Sequence, residues 1–352
     1  MQEQLRGTVL VGFSVNAELN AITDPADIRE LHRSTFETGV HIVKRVAPFD
    51  HLRLSVSGSS RNVVSAIARC GHTDIRLLGT IAQDLFGEFI VQQLTHEGVD
   101  FSPLLARMRT NLSINTISRG DDPGVLSQNY KADYQHGLIP AVVDRIQQEV
   151  KRTRPIFRVT TGVQISDAPL AEAMFLSAYA SDGSEIISTN VLNLGITLLQ
   201  ASQDRETEGT RLRWVKKILK LANLLSLNQS ELTELLGSLD IQSIDRLRLE
   251  VQNPQLHLLV TCGGEGVRYN APDSEELRVE AFPARKVVDP TGAGDCFLGN
   301  FVAHTIRGLE RKDALTHAAA ASALAIEKLG GDTSPKLEET IAFLEYVQKI
   351  RA

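Results

Sequence analysis

Short apolar runs alternate with stretches in which apolar residues recur three to four positions apart, and this alternation predicts the elements in order. Residues 8–14 form an apolar run closed by Gly12-Phe13-Ser14, the pattern of a strand buried on both faces. Ile28, Leu31 and Phe36 predict a helix over 24–40 that opens on Asp24 and Asp27. Strand-like alternation returns over 41–57 through Ile42, Val46, Leu52, Leu54 and Val56, and predicts a small projecting sheet, a lid. The small residues of 57–62 then turn the chain into a helix that stops at Gly71. A strand over 75–79 and a helix over 84–96 follow.

Further strands are predicted at 112–117, 157–161, 185–188, 224–227 and 257–260. Helices are predicted at 141–151, 169–180, 212–221 and 231–236, with 200–210 read as a solvated loop. A β excursion over 267–269 and 277–282 precedes three closing helices at 297–307, 313–328 and 337–350. Alternating strands and helices from Ile75 onward predict an α/β fold with a mostly parallel sheet. No internal repeat or low-complexity segment divides the chain. The expectation is one domain over 1–352, with lid segments at 41–57 and within 108–135.

Ligands of open parallel sheets bind where strands exit, and several polar clusters fall there. Asn16 and Glu18 follow the first strand, Asn228 and Glu231 follow the strand at 224–227, and Thr261, Gly263 and Gly266 follow that at 257–260. The most informative exit reads Val287-Val288-Asp289-Pro290-Thr291-Gly292-Ala293-Gly294-Asp295-Cys296-Phe297: strand, glycine turn, helix start. Backbone N–H groups at a helix N-terminus lack internal acceptors and lie at the positive end of the dipole, so they attract anions. Gly292 and Gly294 let phosphate oxygens approach the main chain, and Asp295 sets a carboxylate beside them to take a proton from an attacking hydroxyl. Asp also serves as an ordinary N-cap, and glycine turns recur across α/β proteins, so this stretch alone does not separate structure from chemistry.

Composition narrows the classes. At 352 residues, 42% hydrophobic and 23% charged, the chain reads as an ordinary globular protein with a sizeable core. Its net charge of −6, with no dense basic cluster, argues against a nucleic-acid partner, so phosphate binding must rely on backbone dipoles and a metal ion. Cys70, Cys262 and Cys296 are far apart and lack metal-ligand spacing, which fits a reducing compartment. No signal core or membrane-length apolar run is seen, so a cytoplasmic location without membrane association is expected.

In order, these motifs resemble the ribokinase-like (PfkB) family of carbohydrate and nucleoside kinases over nearly the whole chain. The family's D-T-x-G-A-G-D signature is similar to Asp289-Pro290-Thr291-Gly292-Ala293-Gly294-Asp295. Its G-G-x-x-x-N signature resembles Ser57-Gly58-Ser59-Ser60-Arg61-Asn62, its N-x-x-E motif Asn228 to Glu231, and its T-x-G-x-x-G turn Thr261, Gly263 and Gly266. The resemblance implies a three-layer α-β-α sandwich with a small β lid. It implies Asp295 as general base and Gly292, Ala293, Gly294 and Asp295 as the anion hole. ATP would be held by Thr261, Gly263 and Gly266, its adenine near His317, and Mg²⁺ would be organised by Asn228 and Glu231, through water. Asn16, Glu18, Gly58 and Asn62 match acceptor-binding positions. Some members bind a monovalent cation such as K⁺, in a loop resembled by Asp289, Thr291, Ala325, Lys328, Gly330 and Ser334. Lids in the family often pair between subunits, so a homodimer is a further expectation.

Departures lie on the acceptor side. Glu18 stands where Asp is common, Ser57 replaces the first glycine, Ser59 stands where ribokinase-type members often carry Lys, and Ser188-Thr189-Asn190 lacks the Asp of a D-x-N pattern. The expected activity is ATP-dependent phosphorylation of a hydroxymethyl group on a sugar or sugar-like acceptor. A nucleoside acceptor, and a non-catalytic binding protein on the same fold, stand as alternatives.

Overall fold

The computed structural model describes residues 7–23, 51–118, 125–130, 133–135, 137–194 and 205–351. In chain order the strands are β1 (Val9–Phe13), β2 (Asn16–Thr23), β3 (His51–Ser57), β4 (Ile75–Ile81), β5 (Asp100–Leu105), β6 (Leu112–Ser118) and β7 (Val125–Tyr130). They continue as β8 (Phe157–Val163), β9 (Thr189–Leu194), β10 (Leu224–Asn228), β11 (His257–Thr261), β12 (Val267–Asn270) and β13 (Leu277–Val279). The helices are α1 (Ser59–Arg69), α2 (Leu85–His96), α3 (Ile139–Thr153), α4 (Ala168–Phe175) and α5 (Arg205–Leu221). After these come α6 (Gln229–Ser238), α7 (Ile244–Glu250), α8 (Ala293–Ile306), α9 (Arg311–Ala325) and α10 (Leu337–Arg351).

Nine strands form the main sheet in the order β13-β12-β11-β10-β9-β8-β1-β4-β5, parallel from β5 to β11 and antiparallel at β12 and β13. Successive side chains of a strand point to opposite faces. Thus Leu10 and Leu78 pack with Ile146, Met174, Val215 and Leu247 on one side. Val9, Val11 and Leu77 pack with Ile67, Leu94, Phe301 and Leu315 on the other. Both faces are covered, which is why these strands read as continuous apolar runs. The fold is the expected three-layer sandwich, with α10 laid on α9 through Phe343, Leu344 and Val347. Among the described residues no helix is long and apolar enough to cross a membrane.

A second sheet, β3-β2-β6-β7, forms the lid. The sequence reading placed the first lid strands at 41–57; the strand over 51–57 is present, whereas 41–50 and the predicted helix 24–40 lie outside the described residues. Asn16 to Glu18, read as a strand exit, is itself the start of a lid strand. Glu18 sits opposite Ser55 of β3 and Ser113 of β6.

The strand read at Val287-Val288 ahead of the glycine turn does not form: residues 280–292 carry no regular element and Val287 is half exposed; β5 and α7 form where no element is read, and three other boundaries differ. Helix α5 begins at Arg205, inside the stretch read as loop, because Glu206 and Glu208 suit the first turn of a helix. Helix α4 stops at Phe175, short of residue 180. The strand predicted at 185–188 lies instead at 189–194, where Thr189 pairs with Phe157 at the N-terminal edge of the sheet. Ser188 accepts from Arg158 Nε at 3.0 Å and donates to the Pro155 carbonyl, while Asn190 donates to the Phe175 and Leu221 carbonyls. Ser188 is therefore part of a buried staple, and its lack of an Asp says nothing about an acceptor pocket. The side chain near the exit of this strand is Asn193, which donates to the Ser226 carbonyl at 2.9 Å.

Helix α2 begins on a two-way cap. Asp84 accepts from Gly87 N–H at 2.8 Å and from Thr110 N–H at 2.7 Å, tying the helix to the strand that leads into the lid. Asp84→Ala is expected to lower unfolding stability by about 1–2 kcal/mol, read from denaturant midpoints.

Candidate active site

Two helix N-termini are brought together by close packing of α1 on α8. A Cβ at Gly299 would lie 2.5 Å from the Ala66 Cβ and 2.8 Å from the Val63 carbonyl, so glycine is what allows the approach. Asp295 in the first turn of α8 then faces the first turn of α1. The Ser59 hydroxyl donates to Asp295 Oδ1 in a short hydrogen bond, and Asn62 Nδ2 donates to Oδ2 at 2.9 Å. Burial pushes the Asp295 carboxyl up to about 6 against the lowering effect of those two bonds, and the charge of Glu231 adds to the rise.

The start of α1 is fixed by its surroundings. Gly58 has φ 111°, and a Cβ there would fall 2.4 Å from the Ser14 carbonyl at the exit of β1. Ser60 Oγ accepts from Ser14 N–H at 2.9 Å and lies 2.9 Å from Thr161 Oγ1 of β8. Gly58, Ser59 and Asn62 are thus anchored at the exits of two central strands. Asn16 and Glu18 occupy the same face of β2, and Asn16 Nδ2 reaches Ser113 Oγ only at 3.5 Å.

The turn before α8 is equally constrained. Gly292 adopts φ 76°, and a Cβ would lie 2.2 Å from the Gly331 carbonyl. Asp289 holds the turn to the loop at 326–334, accepting from Thr291 N–H and Gly330 N–H, both at 2.9 Å. Among the described residues a Cβ at Gly294 would meet nothing within 4 Å, so this position opens away from them at the positive end of α8.

On the other side, β10 and β11 pair so that Asn228 stands in register with Thr261. Asn228 and Glu231 form a reciprocal capping box: Asn228 Oδ1 accepts from Glu231 N–H and Glu231 Oε2 accepts from Asn228 N–H, each at 2.8 Å. Burial raises the Glu231 carboxyl, and its bond from Asn228 N–H opposes this. Burial thus raises both carboxyls, Glu231 and Asp295, and the charge of Glu231 is felt at Asp295. The Thr261–Gly266 turn closes through Cys262 N–H to the Gly266 carbonyl at 2.7 Å, and Gly266 has no room for a Cβ, 2.1 Å from the Val279 carbonyl. His317 of α9 sets its ring against buried His304 of α8, centroids 4.5 Å apart and planes tilted by 42°.

Sequence reasoning treated Ser59 only as a departure; the structure makes it a direct partner of Asp295. It missed Arg61 and Arg69, which bind the 326–334 loop. A basic residue in the first or the last turn of a helix carries no signal until the facing loop is known.

Residues 37–149 and 193–338 match the model of the pfkB family of carbohydrate kinases, and the chain belongs to that family. Ribokinase from Lactococcus lactis is 24% identical over 83% of this chain and 86% of its own length. The structure of Arabidopsis thaliana ribokinase complexed with ribose and ATP superposes with a TM-score of 0.65 at 15% identity, covering 96% of this chain and 99% of that one. The nucleoside kinase of Methanocaldococcus jannaschii superposes at 0.68 with 16% identity, covering 97% and 99%.

Proposed function

We propose that this chain is a single-domain, ATP-dependent kinase that phosphorylates a hydroxymethyl group of a sugar or sugar-like acceptor. The observation that carries the reading is the Asp295 carboxylate, held by Ser59 and Asn62 at the N-terminal turn of α8 and titrating near 6. A base of that pKa is ionised at neutral pH yet basic enough to accept a proton as the attacking oxygen gains charge. The acceptor lies between the lid residues Asn16 and Glu18 and the α1 residues Gly58 and Asn62. Its hydroxyl gives its proton to Asp295 and bonds to the γ-phosphorus, while the bond from that phosphorus to the β-bridging oxygen breaks and ADP leaves. The N–H groups of Gly292, Gly294 and Asp295 receive the charge of the transferring group, whereas Ala293 N–H is turned to the Pro290 carbonyl at 3.2 Å.

Thr261, Gly263 and Gly266 support the nucleotide phosphates. Glu231 supports a hydrated Mg²⁺, since a carboxylate whose Oε2 accepts Asn228 N–H still offers hard oxygen lone pairs to the ion's water shell. Bound there, the metal would neutralise phosphate charge beside two carboxylates. Coupled ADP release over a panel of pentoses, hexoses, sugar acids and nucleosides tests the reading. It fails if no acceptor raises turnover above the Asp295→Asn protein.

The pH profile is a separate check. The base works only when ionised, so kcat/KM is expected to fall tenfold per unit on the acid side of a limb near pH 6. A limb at the ordinary carboxylate value would contradict the burial argument.

A further inference from the structure

The loop at 326–334 backs the candidate anion hole, so whatever holds that loop sets the geometry of the turn. Val288 and Asp289 N–H groups donate to the Ile326 carbonyl at 2.8 and 3.1 Å, Gly330 N–H binds Asp289, and the Gly331 carbonyl abuts Gly292. Two arginines reach the same loop from the α1 helix. Arg69 Nη1 donates to the Ser334 carbonyl at 2.9 Å and to the Asp332 carbonyl at 3.3 Å. The same guanidinium pairs with the Asp332 carboxylate, 3.0 Å from Oδ1 without hydrogen-bond alignment and 3.3 Å from Oδ2 through Nη2. Arg61, buried on α1, pairs with Asp332 Oδ2 through Nη1 and with Glu97 through Nη2.

Residues of this region resemble a family loop that takes a monovalent cation, and here the oxygens of Asp289, Ala325 and Ser334 are already engaged by N–H and S–H donors. Both Asp289 oxygens accept N–H groups, and the Ala325 carbonyl accepts Lys328 N–H at 3.2 Å. The Ser334 hydroxyl accepts from Asn300 Nδ2 at 3.2 Å, with the Cys296 thiol at 3.4 Å. The Ser334 carbonyl is held by a guanidinium, so an ion sharing that oxygen would stand beside a full positive charge. Gathering backbone carbonyls is the work a bound cation does, and a planar guanidinium does it with directed N–H donors.

We propose that Arg69, braced through Asp332 by Arg61, is a built-in cation that holds the 326–334 loop, making this protein independent of monovalent cations. Arg69 and Arg61 are positioning residues: they act on Asp295 and the anion hole through the loop and through α1, which also carries Ser59 and Asn62. The consequence for turnover rests on the kinase reading; the consequence for stability does not.

The test compares the full-length protein in KCl, NaCl and tetramethylammonium chloride at one ionic strength of about 0.1 M. Thermal unfolding midpoints and, with an active acceptor, kcat are expected to be the same in all three. A midpoint or kcat raised by K⁺ alone overturns the proposal. Arg69→Met is expected to lower kcat on the order of tenfold or more with acceptor KM little changed, because the turn moves while the acceptor face stays. Arg69→Lys should recover part of that loss. An Arg69→Met protein with unchanged kcat and midpoint also overturns it. Should no acceptor support turnover, the kinase reading falls, and the salt series on unfolding still decides this inference.

Discussion

Asp295→Asn is expected to lower phosphoryl transfer on the order of 10²–10⁴-fold while leaving the protein as stable as the parent or more so. The amide is isosteric, and its oxygen still accepts from Asn62 while its NH₂ donates to Ser59 Oγ. What disappears is the proton acceptor. The stability half follows from the direction of the shift. The folded carboxyl titrates near 6 against an ordinary 3.8, so folding favours the protonated form. That contribution is fully present below about pH 4 and is lost as pH rises through about 6. At neutral pH the ionised Asp295 thus opposes folding, by at most about 3 kcal/mol and less to the extent that solvent reaches it. The Asn variant should lose this part of the pH dependence. Single-turnover transfer and unfolding curves at pH 4 and 7 measure both halves. A variant that was inactive and also unfolded would show Asp295 as a structural cap, and the assignment of a base would fail.

Much of this site was legible because apolar period gives way to Gly, Asn and Asp at each part, after β10 and β11 at a true strand exit and before α8 at a turn that follows no strand. The turn at 289–295, the capping box at Asn228 and Glu231, and the Thr261–Gly266 turn are local, and local patterns survive in one dimension. The errors share a cause as well. Ile186 and Ile187 suggested a strand, yet Ile187 is 85% exposed, and the strand starts at Thr189 because it must register with Phe157. A short apolar run does not reveal its neighbour. In β2, Asn16 and Glu18 do alternate with Ala17 and Leu19, but residues of low β propensity concealed the period. The contacts that define the site were out of reach for another reason: Ser59 and Asp295 are 236 positions apart, and Arg69 and Ser334 are 265 apart.

The same geometry separates the glycines of the anion-binding turn. Gly292→Ala is expected to lose both activity and stability, because its φ of 76° is costly for any residue with a Cβ and the new atom would sit 2.2 Å from the Gly331 carbonyl. Its other near neighbours, at 2.8 Å, are also Gly331 backbone atoms, so no side chain can swing aside. Gly331 is hard to move, since Gly330 is bonded to Asp289 and Asp332 to two arginines. The turn must shift instead, carrying the N–H groups of Ala293 and Gly294 and the Asp295 carboxylate with it. Displacements of this kind cost on the order of 10²-fold in rate. Strain at the left-handed position together with the clash should lower stability by about 3 kcal/mol or more. Gly294→Ala is the contrast. Its Cβ meets nothing within 4 Å among the described residues, so its unfolding midpoint should at least match the parent, yet the methyl enters the space where a phosphate oxygen would approach, and transfer should fall. Paired measurements on the two variants thus resolve the turn into a residue the backbone requires and a residue the phosphate requires. A Gly294→Ala protein with parental activity would mean that no anion is bound at this helix start.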